Sequence, residues 1–132
     1  MTSDGQVVDR FFEGLSSGDL DAVLACLTPD ARIWHCFDGV AQDRSEARQA
    51  WQSLIDNFPI RIFVDVRRER TSSGFVQQHM MMGTTKDGVN AAWAICAMIR
   101  IEGQLISRID EYIDRAGKFD LAVNGEARTP GL

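Results

Sequence analysis

Two ionisable side chains in this sequence fall on stretches that are otherwise apolar and extended. Glu111 lies between Ile109 and Ile113 in an alternating pattern, so the three side chains share one face of a predicted strand. Burial on such a face would raise the pKa of the carboxyl, which suits a general acid or a proton-sharing group. His35 lies in the extended segment 31–37, and an imidazole can accept a proton at neutral pH. The pair predicts acid–base catalysis, with His35 as the base and Glu111 as the acid or orienting group.

Each of these two residues also has an ordinary structural explanation. His35 faces a pocket in only one register of its strand, and a slip of one residue turns Trp34 and Cys36 inward instead. Glu111 could be neutralised by an arginine, because buried charges are usually paired. The candidate partners lie on the preceding strands: Arg61, Arg67, Arg68 and Arg70.

Other side chains are candidates for contact with a substrate. Gln78 and His79 point to opposite faces of the predicted strand 75–85, and if Gln78 faces the pocket then Met80 does so too. Which set of alternate side chains faces the pocket stays open for this strand and for segment 31–37. We therefore take the following residues as the predicted substrate-binding set: Gln78, Met80, Trp93, Trp34 and His79. The following residues could line an apolar cavity, although residues at such spacings more often form ordinary core: Phe11, Phe12, Trp51, Phe58, Met80, Met82 and Trp93.

Several other kinds of site are excluded by the residues present. The two histidines lack the spacing of a zinc site, and the glycines lie in hairpin turns rather than in a phosphate-binding loop. The sequence also lacks the signatures of a covalent nucleophile. We therefore expect neither a metal nor a cofactor.

Length and composition indicate a single domain over residues 1–132, with a core at about 7–123 and a loose tail at 124–132. The net charge of −5 argues against a nucleic-acid partner. The N-terminus lacks the pattern of a secretion signal, and no apolar run is long enough to span a membrane. Three cysteines without pairing motifs favour a cytoplasmic protein in which they remain thiols.

The order of predicted elements places helices in the first half of the chain and strands in the second. Helices are predicted over about 7–17, from a cap at Asp19 to Leu27, and from a cap at Ser45 to Phe58. The predicted strands are 31–37, 60–67, 75–85, 91–101 and 105–114, and a short helical piece is possible at 119–123. Short glycine-containing loops predict antiparallel hairpins between the later strands. The fold class is therefore α+β, with three N-terminal helices covering a sheet.

This order, together with the residues it carries, resembles the SnoaL-like branch of the nuclear-transport-factor-2-like superfamily. The resemblance is carried by the segments Val8–Leu15, Gly18–Asp21, Leu27–Ala31, Gln77–His79, Asp87–Gly88 and Arg108–Asp114. The superfamily includes ketosteroid isomerase, limonene epoxide hydrolase, scytalone dehydratase and polyketide cyclases. The resemblance implies a cone-shaped, curved sheet, mixed or antiparallel, that binds a small apolar molecule between the sheet and the helices.

The resemblance also implies positions for the chemistry. His35 lies five residues past Asp30, where the isomerase has its basic Asp and the hydrolase a water-holding Asn, and Glu111 matches an acidic residue of the hydrolase. The hydrolase's Arg-x-Asp is missing from the strand at Gln78, and the only tyrosine, Tyr112, is predicted to lie on the face opposite Glu111. Neither epoxide hydrolysis by that mechanism nor isomerisation through a Tyr–Asp oxyanion hole is therefore expected.

The resulting hypothesis is a cofactor-free enzyme that isomerises, dehydrates, cyclises or hydrolyses an apolar metabolite. A non-catalytic ligand-binding or dimerising accessory protein is the alternative, and it predicts that an arginine neutralises Glu111 and that His35 lies outside the cone. The resemblance further implies a homodimer formed through the outer sheet face. With Gln78 facing inward, that face would carry Gln77, His79, Met81 and Tyr112.

Overall fold

A computed structural model describes residues 4–114 and two short strands beyond them. The elements in chain order are α1 (Asp4–Ser17), α2 (Leu20–Ala25), β1 (Leu27–His35), β2 (Ala41–Gln42), α3 (Arg44–Asn57), β3 (Ile60–Arg70), β4 (Gly74–Thr84), β5 (Asn90–Glu102), β6 (Leu105–Ile113), β7 (Asp120–Leu121) and β8 (Ala127–Arg128). In this described part, no helix is long and apolar enough to cross a membrane.

Six of the strands form one open, mixed sheet in the order β2-β1-β6-β5-β4-β3. Strands β3 to β6 follow one another as antiparallel hairpins, as the short loops predicted. The first long strand, β1, instead pairs in parallel with β6, so the first and the last long strands of the sheet are neighbours. The predicted α+β cone is confirmed, with a mixed sheet.

The three helices pack on one face of this sheet and bury its apolar side chains. Helix α1 places Val7, Val8 and Phe11 in the core at 1% exposure or less, as expected from apolar residues at helical spacing. Ile33 of β1 and Ile109 of β6 meet them from the sheet. The inward faces of β1 and β6 are thus fixed by packing, which also fixes the direction of later residues on the same strands.

Some predicted boundaries were wrong. Helix α2 begins at its predicted cap, Asp19, but ends at Ala25, and Leu27 already belongs to β1. Helix α3 is capped by Asp43 rather than Ser45, because Asp43 and Glu46 form a reciprocal capping box. The helical piece predicted at 119–123 lies mostly outside the described residues, and its described part, residues 120–121, pairs as strand β7 with β8.

A close backbone approach at the start of β4 makes Gly74 the most sensitive glycine of the sheet. A Cβ atom at this position would overlap the carbonyl oxygen of Ile99 on β5. We expect Gly74→Ala to lower the free energy of unfolding by about 2–3 kcal/mol, because backbone rather than a side chain must move. Urea unfolding measures this, with exposed Ser72→Ala as a control that changes it by less than ~0.5 kcal/mol. Equal midpoints for the two variants would contradict the close approach.

Candidate active site

An open cavity of about 850 Å³ lies between the concave face of the sheet and helices α1 and α3. Most of its wall is apolar, and the polar side chains that reach it are His35, Asp38, Gln42, His79 and Glu111. The apolar lining consists of Phe12, Leu15, Phe37, Ala50, Trp51, Leu54, Phe58, Phe63, Met81, Trp93, Ile95 and Ile113. The cavity is large enough for a small organic molecule and offers a few convergent polar groups.

His35 and Glu111 face each other in this cavity because their strands are parallel neighbours. His35 is the last residue of β1 and stands directly opposite Glu111 of β6 in the sheet register. The imidazole Nε2 lies 3.6 Å from a carboxyl oxygen of Glu111, and the two side chains are 12% and 13% exposed. The ring of Phe37 stacks on the imidazole with 5.1 Å between ring centroids. The two side chains predicted to carry the chemistry are therefore adjacent.

Burial shifts both pKa values toward the neutral forms. Desolvation raises the pKa of the Glu111 carboxyl to about 7. Burial also lowers the pKa of the His35 imidazole, while the nearby charge of Asp38 partly opposes that change. Near neutral pH the pair consequently contains an unprotonated imidazole beside a carboxyl group that still holds its proton about half of the time.

The arginines considered as partners for Glu111 have other contacts. Arg61 donates to the backbone carbonyls of Leu15, Ser16 and Phe58, Arg67 faces Asp65, Arg70 faces Asp4, and Arg68 faces Asp9. The ionisable side chain described beside Glu111 is instead His35, 3.6 Å away. The arrangement thus differs from the arginine-neutralised Glu111 that the non-catalytic hypothesis predicts.

Strand β4 turns the face that carries Gln78 and Met80 away from the cavity. His79 and Met81 line the cavity, whereas Gln78 and Met80 line a groove on the outer face of the sheet, next to Tyr112. Methionines occur on both faces of β4, so hydrophobicity could not choose between them. The deciding feature is that the polar groups of His79 and its neighbour Gln77 are hydrogen bonded to each other, which permits their burial.

The two predicted tryptophans are placed on opposite sides of the sheet. Trp93 lines the cavity, with its ring edge-to-face against Phe58 at 5.1 Å between centroids. Trp34 lies on the outer face, where its ring packs edge-to-face against Tyr112 at 5.3 Å. The register in which Trp34 points inward is therefore not the one adopted, because β1 alternates and Ile33 and His35 take the inward positions.

The predicted apolar lining is correct at four positions. Phe12, Trp51, Phe58 and Trp93 line the cavity. Phe11 instead lies in the core at 0% exposure, and Met80 and Met82 are not among the cavity residues.

Three cavity residues come from the connection between β1 and α3 and were not predicted. Phe37, Asp38 and Gln42 lie in or beside this turn, where no periodic pattern exists to indicate direction. The side-chain oxygen of Gln42 is buried and has no hydrogen-bond partner among the described residues. Across all the residues that the structure describes, no three His, Cys, Asp or Glu side chains are close enough together to hold a metal ion.

A mixed sheet covered by three helices around an open cavity gives this chain the fold of nuclear-transport-factor-2-like proteins. Residues 8–109 match the SnoaL-like domain, which is well over half of the chain. The chain therefore belongs to the SnoaL-like domain family, and the resemblance drawn from its sequence is confirmed.

Solved structures with this fold are similar over most of their length. IdmH, a candidate polyketide cyclase from Streptomyces antibioticus, is 19% identical with a TM-score of 0.77, over 87% of this chain and 94% of its own. A candidate polyketide cyclase from Pseudomonas putida KT2440 is 16% identical with a TM-score of 0.75, over 88% and 95%. TerC, co-crystallised with polyporic acid, is 12% identical with a TM-score of 0.74, over 86% and 92%. A search of curated proteins found no match.

Proposed function

We propose that this protein is a cofactor-free enzyme that moves protons on a small apolar molecule bound in the cavity. The observation that carries the proposal is the buried pair of His35 and Glu111, 3.6 Å apart in an otherwise apolar wall. A carboxyl group without a compensating cation contributes little to packing, whereas an acid with a pKa raised to about 7 beside an imidazole kept neutral by burial suits proton transfer. Dehydration, isomerisation and cyclisation all use such a pair.

The proposed step starts from the neutral pair. The His35 imidazole takes a proton from a carbon of the substrate, so that a C–H bond breaks and an N–H bond forms. The Glu111 carboxyl gives its proton to a second carbon, or to a hydroxyl that leaves as water. The pair is then an imidazolium beside a carboxylate, and their proximity stabilises both charges. Transfer of the proton from His35 Nε2 to the carboxylate restores the starting state.

The apolar wall and the similarity to other proteins support a small organic substrate. Two tryptophans and four phenylalanines line the cavity beside the reactive pair, and such surfaces bind rings and alkyl groups. IdmH and the Pseudomonas putida protein carry the description of polyketide cyclases, and TerC was crystallised with polyporic acid. The three cysteines are free thiols, which fits the proposed cytoplasmic location.

The proposal is tested with 2-tetralone, an apolar ketone whose α-protons a base can remove. We expect the protein to catalyse exchange of these protons with deuterium oxide, measured by NMR, with a rate that saturates in ketone concentration. Tight binding of the ketone without any exchange above the buffer rate would contradict catalysis. That result would favour the alternative of a ligand carrier.

We also propose that two copies pair through the outer face of the sheet. That face carries Met98 and Tyr112, which are 42% and 51% exposed. Sedimentation velocity at micromolar concentration is expected to give twice the monomer mass. Tyr112→Asp is expected to reduce the fraction of dimer, because burying a charge without a partner is costly. Val89→Asp, at an apolar position in a hairpin loop that is 61% exposed, is the matched control. A monomer at all concentrations would contradict the proposal.

A further inference from the structure

His79 is a buried polar side chain on the cavity wall that the proposed proton transfer does not use. It is 3% exposed and stands between the edges of two aromatic rings, with centroid distances of 5.0 Å to Phe12 and 5.2 Å to Phe63. All three rings line the cavity. Its position is therefore inside the site rather than behind it.

A chain of hydrogen bonds reaches His79 from the surface of the protein. The Arg68 guanidinium lies 2.8 Å from a carboxyl oxygen of Asp9 and donates through Nε to the side-chain oxygen of Gln77 at 2.9 Å. The side-chain nitrogen of Gln77 lies 3.0 Å from Nδ1 of His79. Gln77 is itself 1% exposed, so this amide has no solvent contact that could replace either bond.

This series of hydrogen bonds determines which nitrogen of His79 carries the proton. A guanidinium has only donors, so the Gln77 amide must turn its oxygen toward Arg68 and its NH₂ group toward His79. The NH₂ group is a donor as well, and Nδ1 must then accept with its lone pair. Burial lowers the pKa of His79 to about 4, and the ring is neutral near pH 7 with its proton on Nε2.

The Nε2–H group that results has nothing to donate to within the described protein. Nε2 is buried, and none of the described residues forms a hydrogen bond with it. Buried donors are nearly always paired, and an orphaned donor on a cavity wall is typical of a group that meets a ligand. His79 is among the residues that line the cavity, where a bound molecule could supply an acceptor.

We propose that Nε2–H of His79 binds an acceptor oxygen of the substrate, and that Gln77 and Arg68 are positioning residues that hold His79 in this tautomer. The substrate class is then an apolar ketone or related carbonyl compound. This inference rests on the proposed function in taking the cavity as the substrate site. A neutral donor with a low pKa stabilises the negative charge that develops on a carbonyl oxygen without giving up its proton.

The sheet register places His79 and the reactive pair on the same face of the sheet, on strands that are not direct neighbours. Gln77, Ala97, Glu111 and His35 stand side by side across β4, β5, β6 and β1. His79 lies one inward position further along β4, in register with Ile95. Strands β4 and β6 are two strand spacings apart, about 10 Å. The His79 donor and the reactive pair can therefore contact different atoms of one bound molecule.

The tautomer is measured first, by ¹⁵N NMR of protein labelled at histidine. Only two histidines are present, and His35→Gln assigns the signals. We expect Nδ1 of His79 to show the shift of an unprotonated nitrogen and Nε2 that of a protonated one, and Gln77→Met to produce a mixture of tautomers. Gln78→Met, the same change on the outer face, is expected to leave the signals unchanged. A proton on Nδ1 in the wild-type protein, or no response to Gln77→Met, would overturn the proposal.

The ligand is tested with 2-tetralone and tetralin, which has CH₂ in place of the carbonyl group. Quenching of the cavity tryptophans reports binding of both. One hydrogen bond predicts a preference for the ketone of about tenfold. His79→Leu is expected to abolish this preference and Gln77→Met to reduce it, while Gln78→Met keeps it. Equal affinities in the wild-type protein would overturn the proposal.

The outcomes separate this proposal from the proposed function. A ketone preference without deuterium exchange would leave the His79 subsite standing and overturn only the catalytic role of His35 and Glu111. Exchange without a ketone preference would leave the catalytic role of His35 and Glu111 standing and overturn only the His79 subsite. If neither compound binds, the cavity is not a site for apolar molecules, and both proposals fall.

Discussion

Replacing Glu111 by glutamine is expected to lower the rate of deuterium exchange into 2-tetralone by about 10²- to 10⁴-fold, the usual contribution of a positioned acid or base. The amide keeps the shape of the side chain and can still contact His35, but it cannot accept and return a proton. His35→Gln is expected to cause a loss of similar size. The double variant should be scarcely worse than either single variant, because the two groups act as one unit.

Asp110→Asn provides the matched control for this substitution. Asp110 precedes Glu111 on the same strand, points to the opposite face, and accepts from Arg108 at 2.7 Å. The same chemical change at this position is expected to alter the exchange rate by less than about twofold, since surface ion pairs contribute little. If Glu111→Gln and Asp110→Asn gave equal rates, the proton-transfer role of Glu111 would be refuted.

The second large effect is on the pH dependence of stability. The pKa of Glu111 is raised to about 7 in the folded protein from an ordinary 4.5, so the folded state binds more protons than the unfolded state between these values. The stabilising effect of this protonation is fully present below pH 4.5 and is lost as the pH rises through 7. Glu111→Gln removes the effect. We expect the variant to gain about 3 kcal/mol relative to the wild-type protein between pH 4 and pH 8.

Urea unfolding at a series of pH values measures this difference, and His79 provides a control of opposite sign. The pKa of His79 is lowered to about 4 from 6.5, so its burial destabilises the folded state below pH 6.5 and most strongly below pH 4. Relative to the wild-type protein, His79→Leu is therefore expected to gain stability as the pH falls, whereas Glu111→Gln gains as it rises. Parallel pH profiles for Glu111→Gln and the wild-type protein would contradict the raised pKa.

The architecture, and the position of His35 and Glu111 on inward faces of their strands, could be predicted from the sequence because both depend on local patterns. Helical spacing in α1 and alternation in β3 to β6 reflect which side chains must be buried. Glu111 was recognisable because a carboxyl group between Ile109 and Ile113 departs from that pattern. The pairing of β1 with β6, which sets His35 opposite Glu111, was not predictable from periodicity, since it joins segments more than 70 residues apart.

The face of β4 could not be predicted for a different reason. Both faces carry methionine and a polar residue, so local hydrophobicity is nearly balanced. The balance is decided by Arg68 on the neighbouring strand, which satisfies Gln77 and thereby allows His79 to be buried. The turn that contributes Phe37 and Asp38 was missed because an irregular segment has no repeating face.

The most direct test of the central claim is the titration of the Glu111 carboxyl carbon by ¹³C NMR. Protein labelled at the side-chain carboxyl of glutamate contains six such carbons, and the signal absent from Glu111→Gln identifies the one at the site. A pKa of about 7 is expected, because the group is buried beside His35 in an apolar wall. A titration near the ordinary 4.5 would mean that Glu111 is ionised at neutral pH, and the buried proton-sharing pair would not exist.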